Sequence, residues 1–136
     1  MQAVLAEEGK PLALGEVEKP AVGASDVLIE VKAAGLNRAD LVQRAGAYPP
    51  PPGASKIMGL EVSGEVVEIG TNVSRWKVGD RVCALLAGGG YAEFAAVDEG
   101  SVLSIPAGMS FEHACCFPEA MMTVWANVFL LYLIHI

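Results

Sequence analysis

Asn37, Tyr48 and Glu61 lie within one stretch, Gly35 to Gly64, whose residue types could do chemistry. Asn37 can donate or accept a hydrogen bond, and Tyr48 can stack on a flat ligand or donate from its hydroxyl. The stretch also carries a proline run, Pro49 to Pro52, and glycines on both sides of Glu61. Polar, proline-stiffened sequence between strand-like runs is where functional side chains collect, because the flanking scaffold holds it in place. By residue type alone, Asn37 and Tyr48 read equally as structural or functional.

Other chemistries find little support. A catalytic zinc needs about three Cys, His or carboxylate ligands converging on one point. The histidines here are His113 and His135, and the cysteines are Cys83, Cys115 and Cys116, none of them in the central stretch. Cys83 reads as a small apolar strand residue, and Cys115 and Cys116 as packed helix residues. The expected metal ligands are therefore none. Neither GxGxxG nor GxxxxGK[ST] occurs, and Gly88 to Gly90 reads as a tight hairpin rather than a phosphate cradle. No GxSxG is present, and neither histidine has an evident nucleophilic partner.

The elements that must position these residues are mostly short strands. Met1 to Val17 predicts two strands around a turn at Glu8 to Pro11. Asp26 to Ala34 alternates, with Val27, Ile29 and Val31 on one face and Glu30 and Lys32 on the other. Asn37 to Ala45 predicts a short helix ended by Gly46, with Asp40 and Arg44 as a solvated i,i+4 pair. Strands are expected again at Glu61 to Ile69, Arg81 to Leu86, Tyr91 to Val97 and Val102 to Ile105. Ser110 suits a helix N-cap, with Glu112 in the first turn. The fold class is mainly β with short helices, a distorted barrel.

The 136 residues suit one domain, and a net charge of -7 argues against a nucleic-acid partner. No charged-then-apolar leader opens the chain, and three cysteines, two of them adjacent, make no disulfide framework. A cytoplasmic location is the expectation. From Met121 to Ile136 the chain is almost wholly apolar, about sixteen residues against the ~20 needed to span a bilayer. The expectation is therefore no membrane anchor, but a helix meant for burial.

The runs AAGLNRADLVQRAGAYP, MGLEVSGEVVEIG, VGDRVCAL, GGGYAEFAAV and LSIPAGMSFEHACCFPEAMMTVW, in this order, resemble the zinc-free quinone oxidoreductase branch of the medium-chain dehydrogenase/reductase superfamily. The resemblance implies a GroES-like distorted β-barrel as catalytic domain over residues 1–120. Residues 121–136 then begin an inter-domain helix and end in a divergent apolar tail. Where zinc-dependent relatives place a Cys and a Gly-His-Glu, this chain has Asn37 and Gly59-Leu60-Glu61. The resemblance thus implies hydride transfer without zinc, from NADPH to a quinone or conjugated carbonyl compound. It implies Tyr48 and Asn37 as catalytic residues, with Tyr48 beside the substrate. Asn37, Arg38 and Thr123 become the cofactor-side residues, and Glu61 a structural one.

The resemblance ends near Val128-Phe129, where family members continue into a doubly wound dinucleotide-binding domain. It therefore implies a truncated member, inactive or weak alone and poor at binding NADPH. The alternative is a non-enzymatic form whose apolar tail drives homo-oligomer formation or association with a full-length relative.

Overall fold

The computed structural model describes residues 1–6 and 10–132. Strands β1 (Gln2–Leu5) and β2 (Ala13–Glu16) pair antiparallel, Gln2 opposite Glu16. Part of the turn expected between them, at Glu8 and Gly9, lies outside the described residues, as does the end of the apolar tail from Leu133. A five-stranded antiparallel sheet forms the body. Its strands are β3 (Asp26–Ala34), β4 (Glu61–Ile69), β5 (Arg81–Leu85), β6 (Phe94–Asp98) and β7 (Val102–Ser104), in the order β6-β3-β4-β5-β7. The β3–β4 register shifts between Leu28 and Ile29 and again between Val31 and Ala33. Such irregularities bend a strand pair, and here they accompany a half-barrel.

The core explains the order. Val27, Ile29, Val62, Val66, Val82 and Val102 are almost fully buried and pack together in one cluster. Their β-branched side chains suit a pleated, enclosed surface. Leu28 is equally buried, so β3 is covered on both faces and not only on the Val27–Val31 face that alternation predicts. On the other side, Cys83, Ile105 and Ala114 pack with Met109 and Phe111, which seats helix α2 (Phe111–Ala114) against the sheet. Ser110 caps α2 as expected, accepting from the His113 N–H, and the buried Ser63 hydroxyl donates to the Phe111 carbonyl at 2.6 Å.

Two sequence expectations change. Gly88 to Gly90 make no hairpin: β5 and β6 lie on opposite sides of β3 and β4 in the sheet. The glycines instead let this crossing segment lie on the backbone of the proline loop, with Gly89 N–H donating to Ile57 O and Gly90 N–H to Gly59 O. A Cβ at Gly88 would sit 2.7 Å from the Ser55 carbonyl oxygen. The C-terminal helical region begins at Phe111, after the Ser110 cap, as expected. After α2 a turn at Cys115–Phe117 leads into α3 (Pro118–Val124) and then π-helical turns over Trp125–Tyr132. Counted from Phe111 to Leu131 this run has 21 residues, long and apolar enough by composition alone to cross a bilayer, and it is mostly exposed. Cys116 stands exposed in the turn instead of packed in a helix.

Candidate active site

Asn37 caps the helix that follows β3. Helix α1 (Arg38–Arg44) begins there because Asn37 is extended, at φ -122° and ψ 155°, and its N–H donates to Asp40 Oδ2 at 2.7 Å. An acidic side chain at the third helical position satisfies a donor that the helix itself cannot. The Asn37 side chain then turns the other way, and Nδ2 donates to Glu61 Oε1 at 2.9 Å. Glu61, only 3% exposed, accepts at its other oxygen from the Glu119 N–H at 2.9 Å, in the first turn of α3. One buried carboxylate thus ties the loop after β3, the start of β4 and the start of α3.

Gly35 makes this possible. A Cβ there would collide with the Glu61 carboxylate, so the side chain can lie across the end of β3 only because residue 35 has none. Asp40 forms the second buried anion at 4% exposure, and the Tyr91 hydroxyl donates to its Oδ2 at 2.7 Å. Burial, then the Asp40 hydrogen bond and the nearby charges of Asp40 and Glu61, push the Tyr91 phenol well above its ordinary range. Asp40 is therefore no solvated partner of Arg44. It points inward to Tyr91, and Arg44 stays exposed.

Tyr48 and Thr123, distant in sequence, line one cavity of about 460 Å³ together with Leu60, Leu86, Ala126 and Asn127. Tyr48 is 46% exposed, which leaves ring and hydroxyl available to a ligand. The Thr123 hydroxyl is 3.4 Å from Glu119 Oε1, and Asn127 Nδ2 donates to the Thr123 carbonyl at 2.8 Å. Asn37 does not line this cavity directly; it adjoins it through Glu61, which is next to Leu60 and bonded to Glu119. Arg38 is exposed at the first position of α1 and makes no hydrogen bond or ion pair among the described residues. The structure brings Tyr48 and Thr123 together, leaves Asn37 behind them and sets Arg38 apart.

This half-barrel and its site can be matched to known proteins. The family described as the alcohol dehydrogenase GroES-like domain matches residues 23–107. The chain belongs to that family, within the medium-chain dehydrogenase/reductase superfamily. It is 35% identical to the trans-enoyl reductase tazE of Aspergillus terreus, over 93% of this chain and 46% of that protein. The human synaptic vesicle membrane protein VAT-1 homolog-like protein superposes with a TM-score of 0.86 at 35% identity, covering 96% of this chain and 43% of that one. The Escherichia coli quinone oxidoreductase complexed with NADPH superposes with a TM-score of 0.77 at 29% identity, covering 94% and 39%. The chain thus spans less than half the length of these relatives, and is homologous to the GroES-like domain of quinone oxidoreductases and enoyl reductases.

Within this GroES-like domain the donor set does not suit a catalytic zinc. Among the described residues no three His, Cys, Asp or Glu side chains come together as a metal would require. Both Glu61 oxygens already accept from N–H donors, and the Leu60 side chain has no ligating atom. The Tyr48–Thr123 cavity offers apolar walls with a few hydroxyl and amide groups, the lining of a site for an organic ligand. The described residues hold no glycine-rich strand-to-helix turn for the pyrophosphate, since Gly88–Gly90 are spent on the proline loop.

Sequence reasoning missed Asp40 and Tyr91 as parts of the site. The signal for Asp40 was present: Asn at the N-cap with an acid three residues on is a capping-box pattern, and it competes with the i,i+4 pairing to Arg44. Nothing local marks Tyr91, whose partner lies 51 residues away.

Proposed function

We propose that this domain supplies the acceptor wall of a hydride-transfer cleft in which a quinone or conjugated carbonyl compound is reduced with NADPH. The observation carrying the reading is that Tyr48, Leu60 and Thr123 line a single cavity. NADPH, when bound, supplies the hydride. The protein's part is to hold a flat acceptor at the right distance and keep water away, and orientation of that kind can account for much of a rate enhancement. Tyr48 lies against the acceptor and donates from its hydroxyl to the carbonyl oxygen that gains charge. Leu60 and Leu86 exclude water. Thr123 and Asn127 face the cofactor side, and Asn37 holds Glu61, and so α3, in register with the cleft.

The test uses two forms. In the chain joined to a dinucleotide-binding domain, Tyr48→Ala should lower quinone turnover about tenfold or more while NADPH affinity changes little. Equal losses in both would contradict the substrate-side role. The 136-residue chain alone should bind NADPH weakly, and a micromolar affinity in a fluorescence titration would refute that part of the reading.

A second reading rests on the helical region. Phe117, Met121, Val124, Val128 and Leu131 are all exposed at 43% or more. Apolar side chains spaced in this way favour association. In this reading the chain pairs with a second copy or a longer relative, and removing residues 130–136 shifts it to a smaller species on a sizing column. An unchanged elution volume would count against it.

A further inference from the structure

We propose that Arg44 and Lys56 form an anion subsite next to the acceptor cleft, which selects flat unsaturated ligands carrying an organic oxyanion such as a carboxylate or sulfonate. The inference rests on the hydride-transfer reading for the flat part of the ligand, and on a separate cavity for its charge. That second cavity, of about 390 Å³, is lined by Gln43, Arg44, Tyr48, Pro49, Lys56 and Met58. Tyr48 lines both it and the 460 Å³ cleft that holds Leu60 and Thr123. A ligand passing over the Tyr48 ring therefore has an apolar space on one side and two cations on the other.

Arg44 and Lys56 bring two cations to a single cavity of an acidic chain. The net charge is -7, with nine Lys and Arg residues in all. Several of the described basic side chains are engaged, while Arg38 and Lys77, like Arg44 and Lys56, make no ion pair or ring contact among the described residues. Lys32 pairs with Glu30 at 2.8 Å; Lys19, Arg75 and Arg81 lie over the rings of Phe94, Trp76 and Phe111. Arg44 and Lys56 make no ion pair or ring contact among the described residues, yet both line one cavity. Arg44 also sits in the last turn of α1, where a cation complements the helix dipole. That role does not extend to Lys56, which belongs to the proline loop. The Arg44 guanidinium suits a planar oxyanion through two parallel hydrogen bonds, and Lys56 adds a mobile point charge. Both side chains are exposed, so the selectivity is moderate and sensitive to salt.

The experiment titrates the 136-residue chain, labelled with nitrogen-15, with 1,4-naphthoquinone, 1,4-naphthoquinone-2-sulfonate and benzenesulfonate, following backbone amide shifts. The sulfonated quinone should bind about fivefold tighter than the neutral one and move the amides of Gln43, Arg44 and Lys56 as well as those of Leu60 and Thr123. The sulfonate's advantage should vanish in the Arg44→Gln/Lys56→Gln double variant and at about 1 M salt, and be reduced but not abolished by Arg44→Lys, which keeps the charge and loses the paired hydrogen bonds. Equal affinity for the two quinones, or an advantage that survives the double substitution, overturns the subsite. The two readings fail separately. Benzenesulfonate shifting Arg44 and Lys56 while neither quinone reaches Leu60 and Thr123 would keep the subsite and sink the acceptor cleft. Neutral quinone reaching Leu60 and Thr123 while both sulfonates leave Arg44 and Lys56 unmoved would do the reverse.

Discussion

The Tyr91 hydroxyl donates to Asp40 Oδ2 at 2.7 Å and lies 3.2 Å from the Gly35 carbonyl oxygen. Asp40 Oδ2 also accepts from the Asn37 N–H, while Asp40 Oδ1 is buried without a partner. One phenol thus connects the end of β3, the cap of α1 and the crossing segment before β6. It does so at a carboxylate that has few other donors.

Replacing Tyr91 by Phe removes that donor and leaves a 4%-exposed carboxylate with a single hydrogen bond, from the Asn37 N–H. Loss of a hydrogen bond to a buried charge costs about 1.5–3 kcal/mol. Urea unfolding should show the Tyr91→Phe variant destabilised by that amount, and a change below about 0.5 kcal/mol would mean that water replaces the hydroxyl at no cost. The pH dependence gives a second readout. The folded phenol titrates above its ordinary value of 10.0, so the folded state holds the proton more tightly than the unfolded chain. The stability from this group is present below pH 10 and is lost as pH rises from there toward the folded-state value. Wild type should therefore lose stability above pH 10 more steeply than Tyr91→Phe, and parallel curves would contradict the assignment.

Much of this fold could be read in the sequence because its signals are local. The alternation in Asp26–Ala34 and Glu61–Ile69 marks β3 and β4 to the residue, and Asn37 followed by a helical pattern marks α1. The sheet order could not be read. Gly88–Gly90 carries the same composition whether it turns a hairpin or crosses the sheet, and only the backbone of Ser55–Gly59 packed against it decides. The site divides in the same way. Tyr48, Asn37 and Thr123 stand out by type and resemblance. The burial of Asp40 and its bond to Tyr91 depend on contacts across 51 residues, which no window of sequence contains. The charge pattern misled at Asp40, because i,i+4 spacing to Arg44 and a capping role for Asn37 use the same residue and only burial separates them.

Glu61→Gln tests the junction between β4 and α3. The glutamate accepts from two different N–H donors, one at each oxygen. A glutamine keeps the shape but presents one oxygen and one amide nitrogen, so either one donor faces another or the Asn37 carboxamide must turn over to present its oxygen. The expected cost is about 2 kcal/mol in urea unfolding. Exchanging both side chains, with Asn37→Asp and Glu61→Gln together, restores a donor–acceptor match between them and frees the oxygen of the introduced amide for the Glu119 N–H. The double variant should be at least about 1 kcal/mol more stable than the sum of the single effects. Strict additivity would show that Asn37 and Glu61 do not act as a pair.

The thiols should separate by burial and by charge. Cys83 and Cys115 are buried and Cys116 is exposed, with the Cys115 and Cys116 sulfurs 3.9 Å apart. Burial raises the Cys83 thiol above its ordinary range, and the charge of Glu61 raises it further. Burial likewise raises Cys115, helped by its contact with Cys116. The thiolate is the nucleophile, so a raised thiol reacts more slowly at a given pH, and enclosure slows it again. Iodoacetamide at about pH 8 should therefore alkylate Cys116 first, with Cys83 and Cys115 at least about tenfold slower until the chain is unfolded in urea. Peptide mapping by mass spectrometry reads the order directly. Cys115 modified as fast as Cys116 in the folded chain would show that the turn between α2 and α3 opens readily, and with it the Glu61–Glu119 contact that fixes the cleft.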